Sequence, residues 1–455
     1  MNRREQSDER MSAVDLAWWR MEEGEGTATV GGALTFQQHL SRSTLCELVE
    51  TRILKTYPRF RRRVVASKGE TPRWSEDPDF SLDYHIDEVA VDAEAGEEPV
   101  RRMASRLMNE GLDGERPPWR MWLLQHSGAG STLLILFHHC LGDGFALARA
   151  LLEAADGRLG EADAGGADGR DDSVGLLSPV VQLWNGTGRV AERARQVGRW
   201  FQDVIHLLAL PFERPTTLTN SLTGDLRVAW SQRVPLANIK DIGRAYEGTV
   251  NDVLLTAVAG AVRRHLAEQG EPVDDFDLRC VVPVNLRSAR RIEQMPPDLG
   301  NQFGLVFLEL PTGASSPRAR MDALQEDIER LKRSGEPAVS FGILWMLGHL
   351  PPVVERIFNV VFGRKASMVV SNVPGPASGL SMGGVDLSNL MFWVPHPAGL
   401  GLGISLISYD GGVCIGVRAD TGVLDNPIAL VDEIETQLDE MHRHASDTPR
   451  SSRDE

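Results

Sequence analysis

Cysteine is scarce in this chain, and long hydrophobic runs are missing. The 455 residues include 4 cysteines, Cys46, Cys140, Cys280 and Cys414, all far apart. They make no Cys-x-x-Cys pair and no metal-ligand spacing, which excludes a zinc ribbon or a dithiol redox site. Reduced thiols in a cytoplasmic setting are expected. No uncharged apolar run approaches the roughly 18–20 residues that a membrane span needs, so any membrane contact should be peripheral. The stretch Met1–Arg10 is polar and has no apolar signal core. Net charge is −16, the wrong sign for a nucleic-acid partner. Also missing are the Gly-x-Ser-x-Gly elbow of serine hydrolases, the His-Glu-x-x-His zinc helix and the Gly-Lys-Ser/Thr phosphate loop. No metal and no redox cofactor is expected.

What is present is an ordinary globular composition, 42% hydrophobic and 25% charged. The length suits roughly two or three domain-sized units. The most informative run is Phe137-His138-His139-Cys140-Leu141-Gly142-Asp143-Gly144. It follows the apolar segment Ser131–Phe137, which predicts a buried strand over 131–139, and precedes the helix-like Phe145–Leu152. Two histidines therefore sit where a strand ends, before a turn built from two glycines around an aspartate. Successive strand side chains point to opposite faces, so His138 and His139 cannot both enter one cavity. One is a candidate general base, with an ordinary pKa of roughly 6.5, and the other packs. Asp143 sits too close along the turn to be an independent catalyst, and an orienting or structural role is expected. Gly142 and Gly144 permit a tight turn. Without chemistry, the same pattern would read as a strand end and a Gly-Asp-Gly turn.

Ser12 and Asp15 mark a helix start. Arg59–Val65 reads as a solvated surface strand or loop. The stretch from Asp156 to Gly175 is Gly/Asp/Ala-rich and reads as a linker. Arg189–Leu210 predicts a helix, either a crossover helix packed on the protein or one lying on a membrane surface. Beyond residue 221, the helix Asn251–Val262 is followed by strand-like runs at Leu278–Val284, Phe303–Leu310, Ala366–Val373, Gly401–Ser408 and Val413–Ala419. Pro427–Met441 is the last expected helix, and the tail from His442 is expected to be disordered. Strands and helices mix in both halves, which predicts α/β or α+β layers.

His138-His139-x-x-x-Asp143-Gly144 resembles the active-site motif shared by acyl-CoA-dependent acyltransferases and condensation domains. Further segments resemble the bacterial wax ester synthase/acyl-CoA:diacylglycerol acyltransferase family in particular. Arg116-Pro117-Pro118-Trp119 is similar to its Pro-Leu-Trp element, with Pro118 in place of Leu. Asn251-Asp252-Val253 and Asn372-Val373-Pro374-Gly375-Pro376 match two of its blocks. Pro283-Val284-Asn285-Leu286-Arg287 and Gly300-Asn301 sit in family-like places, so the resemblance runs from about Met11 to Met441.

The resemblance implies a two-domain fold like that of chloramphenicol acetyltransferase, with the active site in a tunnel between domains. The expected partition is 11–155, linker and crossover helix 156–220, second domain 221–441, and polar tail 442–455. It implies acyl transfer from acyl-CoA, a substrate and not a cofactor, to diacylglycerol or a long-chain alcohol, giving triacylglycerol or wax ester. It makes His139 the base. The expected location is cytoplasmic, with peripheral contact at the inner membrane face or a lipid droplet. Asn251 is expected either to stabilise the oxyanion or to cap its helix. Arg287 is expected to pair with Asp143 across the domain interface. The Asn372–Pro376 turn, Pro118-Trp119 and His396 are expected to be structural. A Cys140 nucleophile is disfavoured, because the chain turns there. Two alternatives stand beside this reading: a condensation-type enzyme fed by a carrier protein in trans, and a non-catalytic lipid-binding protein.

Overall fold

The computed structural model describes residues 8–22, 27–66, 70–93, 96–156, 205–207, 209–287 and 299–447. The first half contributes β1 (Thr29–Phe36), β2 (Ile86–Val91), β3 (Trp119–His126) and β4 (Ser131–His138). The second half contributes β5 (Leu226–Trp230), β6 (Val234–Pro235), β7 (Leu278–Asn285), β8 (Phe303–Leu310), β9 (Met368–Pro374), β10 (Ser381–Met382), β11 (Val385–Trp393), β12 (Leu402–Tyr409) and β13 (Gly412–Asp420). They form two large sheets, ordered β10-β11-β1-β4-β3-β2 and β8-β7-β9-β12-β13-β5, with β6 paired to β13. A small third sheet joins Glu9–Arg10, Arg73–Glu76 and Arg62–Val65.

The continuous apolar character of β4 follows from its position. It lies between β1 and β3, and all eight of its residues are buried. Leu133, Ile135 and Phe137 face one core, while Leu134 and Leu136 face a second core covered by the helix Glu98–Met108. Period-two alternation is therefore present in β4 but invisible in its composition, because both faces are dry.

The second sheet packs one face on three helices, Val250–Glu268, Pro317–Arg333 and Pro427–Asp447. Its other face meets the first half. Val281, Phe303, Leu305 and Val369 share one core cluster with Trp18, Val30 and Phe137. The two halves are also tied by strand exchange. β11, which the sequence reading leaves in the second domain, pairs antiparallel with β1, with Ala33 opposite Met391. The buried positions of β11 alternate at Leu387, Asn389, Met391 and Trp393, so one of its faces belongs to the interior.

One expectation is corrected at the C-terminus. The last helix runs past Met441 to Asp447. Nothing in His442–Asp447 is a glycine or proline, so polar residues extend the helix into solvent and do not end it. Of the expected linker and the Arg189–Leu210 helix, only Asp156, residues 205–207 and residues 209–210 fall among the described residues. No helix among them is long and apolar enough to cross a membrane.

Candidate active site

The site begins where β4 runs out. His138 ends the strand, and the backbone N–H of His139 donates to Ala28 O at 2.7 Å. The chain then turns into the helix Gly144–Ala154, whose N-cap is Asp143. Asp143 Oδ1 accepts from Ala146 N at 3.0 Å. That is the ordinary use of aspartate at a helix start.

The two histidines part as strand alternation requires. His138 turns away from the interface. Its Nδ1 accepts from Cys140 N at 3.0 Å, and its Nε2 lies 2.6 Å from Glu22 Oε2. Burial works against ionisation of Glu22, but the hydrogen bond and charge of His138 hold its carboxyl below the ordinary value. His139 turns into a cavity of about 640 Å³. Trp18 stacks on its ring at 4.0 Å between centroids and 17° between planes, and Phe303 lies against both rings, 5.3 Å from His139 and 5.9 Å from Trp18. Burial drives the pKa of His139 down to about 4, while the charge of Asp143 works in the opposite direction.

That cavity is bounded from both halves, by Trp18, Val30 and Phe145 on one side and Phe303, Val369 and Ser371 on the other. A larger apolar cavity of about 890 Å³ adjoins it, running between the helix Gly144–Ala154 and β11. Val30, Gly144, Val373 and Phe392 line both cavities. At Gly144, which lines both, a Cβ would meet nothing within 4 Å, so the space beside it is open.

Asp143 and Arg287 meet across the two halves, with Nη1 2.5 Å from Oδ2, and the side chains are only 3% and 10% exposed. Asp143 Oδ2 also accepts from Gln302 N at 2.9 Å, and Arg287 Nη2 donates to Gly300 O at 2.8 Å. Gly300 has φ +140°, which suits glycine and lets its carbonyl serve Asp143 N and Arg287 together. Asp143 is thus helix cap, ion-pair partner and anchor of the 300–302 segment at once. Its role fits geometry and not proton transfer.

The sequence reading gave Asn301 no role, and the structure puts it beside the base. Its Nδ2 donates to His139 O at 2.9 Å and to Asp15 Oδ1 at 2.8 Å. Its Oδ1 and the His139 Nδ1 are both buried, and neither has a hydrogen-bond partner among the described residues. The Asn301 side chain acts on the ring as an acceptor and raises its proton affinity. Asp15 lies one turn before Trp18 on the helix Ala13–Met21, and burial pushes its carboxyl above the usual range. The one clue in the sequence was the placement of Gly300-Asn301.

Asn251 is placed differently from expectation. Thr249, and not Asn251, caps the helix Val250–Glu268, in a capping box with Asp252. Asn251 Oδ1 accepts from Asn372 Nδ2 at 3.0 Å, and neither residue lines either cavity. On β9, Ser371 and Val373 face the His139 cavity, so the intervening Asn372 points the other way. Ser371 was not singled out by the sequence, although it is the hydroxyl that enters the cavity.

Cys140 is fully buried, and burial raises its thiol pKa well above the ordinary value, which opposes a thiolate nucleophile. Trp119 is buried beneath the motif, donating to Phe60 O at 2.8 Å, while Pro118 O accepts from His138 N at 3.0 Å. His396 is buried at 1% exposure, and its ring does not line the His139 cavity. Among the described residues there is no group of three or more side chains that could hold a metal ion.

Comparison with known proteins fits this geometry. The family described as the wax ester synthase/diacylglycerol acyltransferase catalytic domain matches residues 11–254, and the WS/DGAT C-terminal domain matches 299–442. A probable diacylglycerol O-acyltransferase, tgs1 of Mycobacterium tuberculosis, is 25% identical over 373 residues, covering 80% of each chain. The probable diacylglycerol O-acyltransferase tgs2 of the same species is 26% identical over 407 residues, covering 85% of this chain and 87% of its own. Among solved structures, the wax ester synthase/diacylglycerol acyltransferase from Marinobacter aquaeolei VT8 superposes with a TM-score of 0.69 at 21% identity, covering 96% of this chain and all of its own. The first condensation domain of the CDA synthetase shares the fold more distantly, with a TM-score of 0.57 at 15% identity over 97% of this chain and 96% of its own.

Proposed function

Because the chain belongs to the wax ester synthase/diacylglycerol acyltransferase family, we propose that it moves a long-chain acyl group from acyl-CoA to the hydroxyl of diacylglycerol or a fatty alcohol. The products are triacylglycerol or wax ester, and free CoA. The observation that carries this reading is His139, a buried imidazole facing a cavity between the halves that adjoins a larger apolar one. A carrier-fed condensation reaction is the weaker reading, since the family match favours the CoA-dependent enzymes. A binding-only protein would have no use for an oriented base.

In the proposed reaction, the neutral His139 Nε2 takes the proton of the acceptor hydroxyl as that oxygen attacks the thioester carbonyl. The tetrahedral intermediate carries the charge on the former carbonyl oxygen. Collapse breaks the carbon–sulfur bond, and the imidazolium returns its proton to the CoA thiolate. In this reading Asn301 Oδ1, buried beside the ring, accepts from Nδ1–H during the reaction, which leaves Nε2 unprotonated for the acceptor. We assign the oxyanion donor to Ser371, whose side chain lines the His139 cavity, a role for which the sequence offered Asn251. Asn251 instead braces β9 through Asn372. The larger cavity takes the acyl chain, and Gly144 stands where the two cavities adjoin. Contact with a membrane or lipid droplet is part of this reading, because diacylglycerol does not dissolve in water.

The test is thiol release from a long-chain acyl-CoA, with hexadecanol, dioleoylglycerol or no acceptor. Wild type should release CoA only with an acceptor, and ester product should match thiol. His139→Ala should lose roughly 10²–10⁴-fold in turnover with its fold intact. Turnover that survives this substitution would remove His139 as the base. Product without free CoA, seen only with a carrier-bound donor, would favour the condensation reading.

A further inference from the structure

Two neighbouring helices, Glu336–Leu347 and Pro352–Gly363, leave apolar side chains in solvent, the first only at its C-terminal end and the second along most of its length. The second is inverted relative to an ordinary surface helix. Its one fully buried side chain is Glu355, whose Oε2 takes Arg20 Nη1 at 3.4 Å, while Val353 and Ile357 are 70% and 61% exposed. Trp345 and Met346, at the end of the first helix, are 54% and 49% exposed. Phe212, 57% exposed, lies at the end of the second helix under Lys365, and the next residue donates its backbone N–H to Arg364 O. Every large apolar side chain that the described residues leave exposed falls at 345–361 or in this adjoining 205–212 segment. Such a concentration marks a binding face, because isolated exposed apolar residues are normally scattered.

Charge identifies the partner. The chain carries −16 overall, yet between Gly335 and Lys365 its acidic residues are Glu336 and Glu355, both buried. Arg356 and Arg364 are exposed there. An apolar face edged by arginines and free of exposed carboxylates complements an anionic lipid surface.

The face also leads inward. Behind it lies an apolar cavity of about 430 Å³, walled by Leu207, Ile343, Leu344, Phe358 and Phe362 from this region and by Trp18 from the site. Trp18, Leu305 and Pro397 line both this cavity and the one that holds His139. The two cavities therefore adjoin at these three side chains.

We propose that the helices Glu336–Leu347 and Pro352–Gly363 seat on an anionic lipid surface, and that the cavity behind them admits the lipid acceptor to His139 past Trp18. Acyl-CoA would arrive from water and diacylglycerol from the membrane, so neither substrate need cross the other's solvent. This rests on the acceptor reading above. The indole that stacks on the base is then also the inner wall of the acceptor's route.

The experiment uses the full chain and vesicles of phosphatidylcholine with phosphatidylglycerol, with and without dioleoylglycerol. Flotation measures binding, and thiol release measures turnover on vesicle-borne dioleoylglycerol and on a dissolved short-chain alcohol. The variant Val353→Ser/Val354→Ser/Ile357→Ser should lose vesicle binding and vesicle-borne turnover by tenfold or more while keeping turnover of the dissolved alcohol, which also shows that it folds. Arg356→Glu/Arg364→Glu should bind phosphatidylglycerol vesicles more weakly, and added salt should weaken wild type towards the same level. Wild-type binding by the serine variant would overturn the proposal. So would a wild type that ignores vesicles but forms a dimer which the serine variant breaks, since the face would then belong to a second copy. If wild type binds vesicles and acylates the dissolved alcohol but never dioleoylglycerol, the acceptor reading fails while the docking face stands.

Discussion

At the residue scale, the site is a histidine kept neutral and made a weaker base by burial, an effect that Asp143 and Asn301 partly offset. With a pKa near 4, His139 is neutral throughout the physiological range. The acid limb of kcat/KM should therefore fall near pH 4 and not near 6.5, and a pH profile with a saturating acceptor series checks it. An acid limb at 6.5 would mean that the ring is solvated in the working enzyme. Asn301→Ala frees the ring to take the wrong tautomer and should cost on the order of 10–100-fold in kcat, as loss of an orienting partner does elsewhere. Asn301→Asp puts a carboxylate beside the ring and should move the acid limb to higher pH, a shift that damage to packing alone would not produce. His139 was legible because strand alternation allows only one histidine of the pair to enter the cavity, with the family resemblance choosing which. The places of Ser371 and Asn301 were not legible, because one lines the His139 cavity and the other bonds His139 and Asp15 from strands and turns that lie far away in sequence.

At the element scale, the junction between the strand end and the 300–302 segment carries the strongest mechanical demand. Asp143 satisfies Ala146 N, Gln302 N and Arg287 together. Removing either charge leaves the other buried, so Asp143→Ala and Arg287→Ala should each cost about 3–5 kcal/mol in urea unfolding. The double variant should cost clearly less than the sum, because both changes break one network. Ala148, on the helix Gly144–Ala154, lines the larger cavity. Ala148→Phe should shorten the acyl chains accepted while sparing short-chain turnover, measured as kcat/KM across acyl-CoA lengths. Much of this level could be read beforehand. The runs at Leu278–Val284, Phe303–Leu310 and Val413–Ala419 lie within observed strands, and Ser12 caps its helix as expected. The strand β11 could not be assigned to its sheet, since its alternation fixes a buried face but not the partner that covers it. Nor could the inverted helix Pro352–Gly363, whose apolar composition resembles that of a core element until exposure is known.

At the scale of the whole molecule, buried imidazoles set how the fold responds to acid. His85 and His139 both have pKa values near 4, and that of His396 is pushed well below 6.5, in each case chiefly by burial. Below pH ~6.5 the unfolded chain binds protons on these rings and the folded chain does not, so stability should fall steadily from about pH 6.5 towards 4. Asp15 and Glu213, whose carboxyl pKa values are raised by burial, act in the opposite sense at the acid end. Thermal melts across this range should show the decline, and a flat profile would mean that the rings are hydrated. The exchange of β11 has a consequence for biosynthesis. β1 has β4 on one side from early in translation, but its other partner is not made until residue 393. At roughly 5–20 residues per second, that leaves the β1 edge open for tens of seconds on the ribosome. A nascent chain stalled before Val385 should therefore recruit chaperones or aggregate through that edge, and a peptide spanning 381–395 supplied in trans should suppress this by closing it.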